Sequence, residues 1–373
     1  MYKIMGKSFL TIPCHWDENT LDVILKQGER NGITVKEMYG VSPWSPIGHG
    51  RNPSVLNKIK EEEMHKFRNL LKNGGINFAY ILNSSLTDKD VEKDIIEIKK
   101  HIEWVLFELS PDSLIITSLK IMRLVREISD IPITVSTIAR VQTVADLDKY
   151  LEINPSKLVV QHDVNRNFTE LKKLIEFTKK KNISIEVMLT ESCRRRCPLM
   201  VDHYNAVGKG GEDISFHRNC NSKKLSSPEE LLLANFIRPE DVSFYEKLGV
   251  RHFKITGRSK KSSWLSQVVI AYLNREFAGN LMRLLGIDPR LDAEEWIYIS
   301  NTSLGGFLEG FRETNNPQEE KEYCKKWIKK LYLEGDFYVT GTEYEVKDDC
   351  LIPKTNIKDN FQINKNYFKK NEN

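Results

Sequence analysis

The chain has 373 residues, 40% of them hydrophobic and 29% charged, with a formal net charge of +4 at pH 7. This supports one large core or two ordinary domains, and it gives no general case for a nucleic-acid-coating protein. No apolar run is long enough to span a bilayer, and the opening Met1-Tyr2-Lys3-Ile4-Met5 leads into no signal-peptide stretch, so a cytoplasmic protein is expected. In that compartment six cysteines read as metal or redox ligands rather than as a disulfide framework. The last lysines, Lys354, Lys358, Lys365, Lys369 and Lys370, read as a solvated basic tail.

Short β-branched and apolar runs recur along the chain. Strands are predicted over 9–12, 34–39, 76–82, 114–117, 133–137, 157–161, 183–189 and 251–256. Helical periodicity fills the gaps, over 18–31, 55–73, 88–106, 119–129, 144–153 and 168–181, with a closing helix over 262–277. Strands alternating with helices predict a parallel sheet, and eight such units fit an α/β fold of the (β/α)8 TIM-like barrel type over residues 8–278. A doubly wound sheet is the alternative. Residues 279–373 read as a small C-terminal extension, with a helix over 318–333 and a short strand over 337–340.

The regular spacing breaks over 190–239, a connection far longer than usual and without a strong helical pattern. It carries Cys193, Cys197 and Cys220, with Arg194, Arg195 and Arg196 between the first two. Thiolates suit iron–sulfur clusters and zinc, and neighbouring arginines favour the thiolate form. We read a soft-metal site here. Neither spacing nor loop length decides iron against zinc. Cys14 follows the first strand and would share the rim with the seventh-strand loop, so it is the expected fourth ligand. His203 and His217 could instead complete a Cys3His zinc site, and three thiolates with an open iron are a further arrangement. Cys324 and Cys350 read as structural thiols. Cys193 with His203 is the pair to examine for cysteine catalysis; no G-x-S-x-G or H-E-x-x-H sequence is present.

Several motifs resemble one family. Arg238-Pro239-Glu240-Asp241, the run from Tyr245-Glu246 through Gly249-Val250 to Phe253-Lys254-Ile255-x-Gly257-Arg258, and Glu191-x-Cys193-x3-Cys197-Pro198 with His203-Tyr204 are similar to the U32 "peptidase" (collagenase-like) family. Tyr39-Gly40 with Gly48-x-Gly50-Arg51 looks like its second-strand motif. The resemblance covers roughly residues 9–311. It implies a barrel-like core, a [4Fe–4S] cluster with Cys193, Cys197 and Cys220 among its ligands, and oxygen-independent hydroxylation of a small molecule or of RNA. A peptidase, metal- or cysteine-dependent, and a non-catalytic cluster-binding protein are the alternatives. A partner protein or electron donor would accompany the redox reading. Trp264-Leu265 stands where some members carry a cysteine, which leaves the fourth ligand open.

Other rim residues complete the expectation. Arg51 and Arg258 follow the second and eighth strands and suit a carboxylate or phosphate, unless they pair with Glu37 or Glu191. Gln161 is a third substrate-binding candidate. Lys254, His203 and Glu191 are the candidates for catalysis, and Lys254 needs an acidic partner if it points into the barrel.

Overall fold

Eight short apolar runs hydrogen-bond side by side, all parallel, and close on themselves: β1 (Ser8–Pro13), β2 (Ile33–Gly40), β3 (Asn77–Leu82), β4 (Ser113–Ile116), β5 (Ile133–Val135), β6 (Lys157–Val159), β7 (Ser184–Met188) and β8 (His252–Lys254). The seam joins β8 to β1, with Leu10 opposite Phe253. This computed structural model describes residues 6–48, 50–52, 55–208, 213–314 and 316–355. The expected lysine tail from Lys358 onward lies outside them.

The helices are α1 (Glu18–Gln27), α2 (Glu61–Asn73), α3 (Asp88–Lys93), α4 (Ile95–Glu103), α5 (Leu119–Arg126), α6 (Val144–Asp148), α7 (Phe168–Lys180), α8 (Met200–Gly208), α9 (Ile214–Ser226), α10 (Glu229–Leu233), α11 (Val242–Leu248) and α12 (Ser262–Asn274). Each of α1–α7 buries an apolar face, as in α5, where Ile121, Met122, Leu124 and Val125 are covered. The closed sheet overturns the doubly wound alternative. Several helices end short of expectation, α6 for one stopping at Asp148, and two departures have local causes. The first is α2, which starts at Glu61; Glu63 accepts the Lys60 backbone N–H at 2.9 Å, and three successive glutamates favour a helix N-terminus there. The helix expected over 88–106 breaks at Asp94 and ends in a π-helical turn, Trp104–Leu109.

The barrel interior is not wholly apolar. Lys157 Nζ lies 2.7 Å from Glu37 Oε1 and 3.3 Å from Glu186 Oε1, and Thr11 donates to the same Glu186 oxygen at 2.6 Å. Ser113 donates to Glu37 at 3.2 Å. The extension contains α13 (Ala293–Trp296), β9 (Ile297–Ile299), α14 (Phe307–Phe311), α15 (Pro317–Glu334), β10 (Phe337–Val339), β11 (Tyr344–Lys347) and β12 (Cys350–Pro353). Here β9 pairs antiparallel with β10, and β11 with β12. No helix among the described residues is long and apolar enough to cross a membrane.

Candidate functional site

The stretch over 190–239 is not a featureless loop: it folds into α8, α9 and α10. Two of these helices carry their helical period in residues other than an ordinary apolar stripe. Met200, His203, Tyr204 and Val207 on α8 and His217, Cys220, Asn221 and Lys224 on α9 follow i, i+3, i+4, i+7 spacing, and all eight line one pocket. A search for apolar faces passes over α9 because its inward stripe is polar. Cys193, Cys197 and Cys220 all line this pocket.

The electrostatics around the thiols are specific. Burial, with the Glu191 carboxylate and Cys220 adding to it, pushes the Cys193 thiol well above its usual range. Burial also raises Cys197, against the pull of the Leu199 backbone N–H, Arg194 and Lys224. Lys224 is held in place by donating to the Ser192 carbonyl at 2.5 Å. Glu191 accepts the Cys193 N–H at 2.8 Å. Burial would raise this carboxyl, but His162, the Cys193 N–H and Arg51 together hold it below the ordinary carboxylate range.

A second cavity opens at the barrel mouth, lined by Tyr39, Lys254, Arg258 and Met188, and it shares Gly50, Arg51, Glu191 and Tyr204 with the thiol pocket. Both arginines follow a glycine that the backbone requires. Gly50 has φ +66° and a Cβ there would meet Ile138 Cδ1 at 2.7 Å; Gly257 has φ +130° and its Cβ would meet the Trp264 ring at 2.6 Å. Burial acts to lower Arg51, but Glu191 and Cys193 outweigh it and hold its pKa above the usual value. Burial, with Arg51 nearby, lowers Arg258 to about 10. Glu37 is engaged by Lys157 across the barrel, so it is not the carboxylate these arginines meet.

Lys254 points into the barrel, with Nζ 4.0 Å above the Tyr39 ring and 4.0 Å from Glu186 Oε2. Burial outweighs Glu186 and brings its pKa down to about 8. A lysine titrating there acylates while ordinary lysines are still protonated. The pH profile of Lys254 acetylation by acetic anhydride is therefore expected to rise near pH 8, below that of exposed lysines such as Lys66, read by peptide mass spectrometry. Labelling of Lys254 only at the pH of the bulk lysines would contradict this.

Other candidates fall elsewhere. Cys14 is buried in the apolar core and does not line the thiol pocket; its Cβ sits 3.2 Å from where a Gly40 side chain would begin. Burial pushes its thiol far up. Cys14 follows directly on the end of β1, but its side chain packs into the apolar layer. Gln161 is fully buried, accepts the Asp163 N–H at 2.7 Å, and lines neither cavity. The three arginines act mainly on carboxylates. Arg194 pairs with Glu230 at 3.0 Å, and Arg195 and Arg196 pair with Glu320 of α15 at 2.9 and 2.5 Å. Arg195 and Arg196 fasten the segment to α15 of the extension, and Arg194 ties it to α10 within the same segment, which the sequence alone did not suggest. Cys324 is buried and Cys350 half-buried, both away from the pocket. His203 and His217 face Asp213.

Comparisons with known proteins place the chain in a family. The model of peptidase family U32 matches residues 51–281. An uncharacterized protease of Methanocaldococcus jannaschii is 28% identical over 315 residues, 79% of this chain and 89% of that protein. Among solved structures, a U32 peptidase superposes with a TM-score of 0.47 at 12% identity, covering 69% of this chain and 96% of the other. A citrate synthase variant superposes with a TM-score of 0.36 at 10% identity, covering 71% and 93%. The match to the family model spans more than half of the sequence and contains the Cys193–Cys197–Cys220 segment and the Lys254–Arg258 motif, so the chain belongs to peptidase family U32.

Proposed function

We propose that Cys193, Cys197 and Cys220 hold a [4Fe–4S] cluster, and that the chain performs redox chemistry of the oxygen-independent hydroxylation type on a small or RNA-borne anionic substrate. The observation that carries this reading is the shared wall. Arg51 and Glu191 line both the three-thiol pocket and the barrel mouth, so a ligand between Arg51 and Arg258 would lie next to the thiols.

The donor set fits such a group. Three cysteine thiols lining one pocket are soft donors of the kind that iron–sulfur clusters take. The cluster would supply electron transfer or, with three protein thiolates, an iron open to a substrate atom. Arg51 and Arg258 bind the anionic group, and Glu191 nearby favours the charged form of Arg51. Lys254, with its pKa of about 8, can hold or release a proton beside the ligand near neutral pH.

The peptidase reading rests on the names of the family and its relatives. Anaerobic purification with iron and acid-labile sulfide analysis tests the proposal. A brown protein carrying both is expected, and a colourless protein carrying neither would overturn it. Replacing Arg51 and Arg258 together by Gln is expected to weaken binding of an anionic ligand by about 2–4 kcal/mol, two charge-assisted hydrogen-bonding groups being lost. Unchanged affinity in equilibrium binding would remove the arginines from the site.

A further inference from the structure

The helices α8 and α9 bring together a second donor group, separate from the thiols. His203 Nε2 and His217 Nε2 lie 4.0 and 3.4 Å from one oxygen, Asp213 Oδ2. Each of the three residues offers a ligand atom within 4.8 Å of the others. The imidazoles meet edge to face with centroids 4.9 Å apart, and His203 stacks flat on Phe216 at 5.0 Å. The rings are thus fixed in orientation.

These separations are long for hydrogen bonds, whose heavy atoms lie about 2.7–3.2 Å apart. They are closer to the spacing of two ligands on one ion. Metal–donor lengths of about 2.0–2.2 Å place neighbouring donors about 3–3.6 Å apart in octahedral or tetrahedral geometry.

Arg290 supplies the support that such a centre needs. It is 1% exposed and lies between two carboxylates. Its Nη1 is 2.9 Å from Asp213 Oδ1, an ion pair off the line of a good hydrogen bond, and its Nη2 is 2.8 Å from Asp288 Oδ2. It therefore orients Asp213 and leaves Oδ2 to the imidazoles. Asp288 gives both of its oxygens to Arg290 and also stands 3.5 Å from His217 Nε2, so it flanks the donor group. Two carboxylates against one guanidinium leave one net negative charge to meet a cation. Outer partners that orient a ligating carboxylate are a regular feature of metal centres.

We propose that His203, His217 and Asp213 form a mononuclear divalent-metal site that opens into the pocket shared with the three thiols. Two imidazoles and one carboxylate suit a borderline cation such as Zn2+, Fe2+ or Co2+ over Mg2+ or Ca2+, which take oxygen donors. Open positions on such an ion bind and polarise an oxygen-bearing ligand, so the pocket would hold a Lewis acid on the wall facing the cysteines. The site uses none of the thiols and stands or falls independently of the cluster.

The test titrates Zn2+ and Co2+ into the chain as purified anaerobically. Metal uptake by the unaltered chain is expected, retained in Cys193→Ser. In His217→Gln or His203→Gln it is expected to weaken by more than the ~10–100-fold typical of changes to outer partners. Bound Co2+ should give d–d bands without an intense thiolate charge-transfer band. Bound Zn2+ should also protect both imidazoles of the unaltered chain from diethyl pyrocarbonate, a readout that does not depend on any variant folding. Undiminished uptake in both histidine variants, a thiolate band in the cobalt spectrum, or the absence of protection would each overturn the proposal. Loss of uptake in Cys193→Ser alone would assign the ion to the thiols instead.

Discussion

A Cys193→Ser chain, purified without oxygen, is expected to lose its visible absorbance and most of its iron, while Cys14→Ser and Cys324→Ser keep both. The contrast rests on position. Cys193 shares a pocket with Cys197 and Cys220, whereas Cys14 and Cys324 are buried in the apolar core. A thiolate that ligates iron contributes more than an outer partner, whose removal costs about 10–100-fold in metal affinity, so the loss at Cys193 should exceed that range. The controls matter because Cys14 was the fourth ligand expected from the shared rim. Iron and sulfide analysis of the three proteins decides the matter. Retained colour in Cys193→Ser would refute the ligand set, and bleaching in Cys14→Ser would return Cys14 to it.

The second large effect is expected inside the barrel. Lys157 sits between Glu37 and Glu186, with both partners buried. Burial alone would lower its pKa, but the two carboxylates outweigh burial and raise it. Lys157→Met leaves two carboxylates facing each other without their shared cation, and breaking a buried pair in this way costs about 3–5 kcal/mol. Urea denaturation is expected to give that loss. A double variant, Lys157→Met with Glu37→Gln, should recover part of it, because one of the stranded charges is then removed. A loss below about 1 kcal/mol in the single variant would show that water reaches the site.

The sign of the pH dependence follows from the same group. The folded-state pKa of Glu186 is lowered: burial raises it, and Lys157, Lys254 and Thr11 outweigh burial. Its contribution is therefore present above the unfolded glutamate value of about 4.3 and is lost as pH falls below it through the folded pKa. Lys157, raised, contributes below the unfolded lysine value of about 10.4 and loses that contribution only as pH rises through its folded pKa. Lys254 is lowered to about 8, so it opposes folding below that pH, and the opposition is relieved between about 8 and 10.4.

Part of the site was legible in residue order because its signals are local. Cys193, Cys197 and Cys220 lie on one polar stretch, and one pocket gathers them. Gly50-Arg51 and Gly257-Arg258 each place an arginine directly after a glycine at positive φ, and both arginines reach the mouth. The length of 190–239 signalled function, but its three helices were missed. An apolar stripe is the usual mark of a helix, whereas α9 turns His217, Cys220, Asn221 and Lys224 inward. The arginines beside the cysteines suggested electrostatic tuning of thiolates. Arg194 pairs with Glu230 inside the segment, whereas Arg195 and Arg196 pair with Glu320, 125 residues from Arg195, and so fasten the segment to α15.

The sequence by itself determined the eight strands, their helical crossovers and hence the barrel, because periods of 2 and 3.6 residues are read within a short window. It also determined the three-thiol segment and the two rim arginines. Only the tertiary structure decided that Cys14 turns into the apolar layer, that Glu37, Lys157 and Glu186 meet inside the barrel, and that His203, Asp213 and His217 converge. The physical reason is common to all three. A side chain's direction and its partner across the fold depend on packing between elements far apart in the chain, and no local period encodes them.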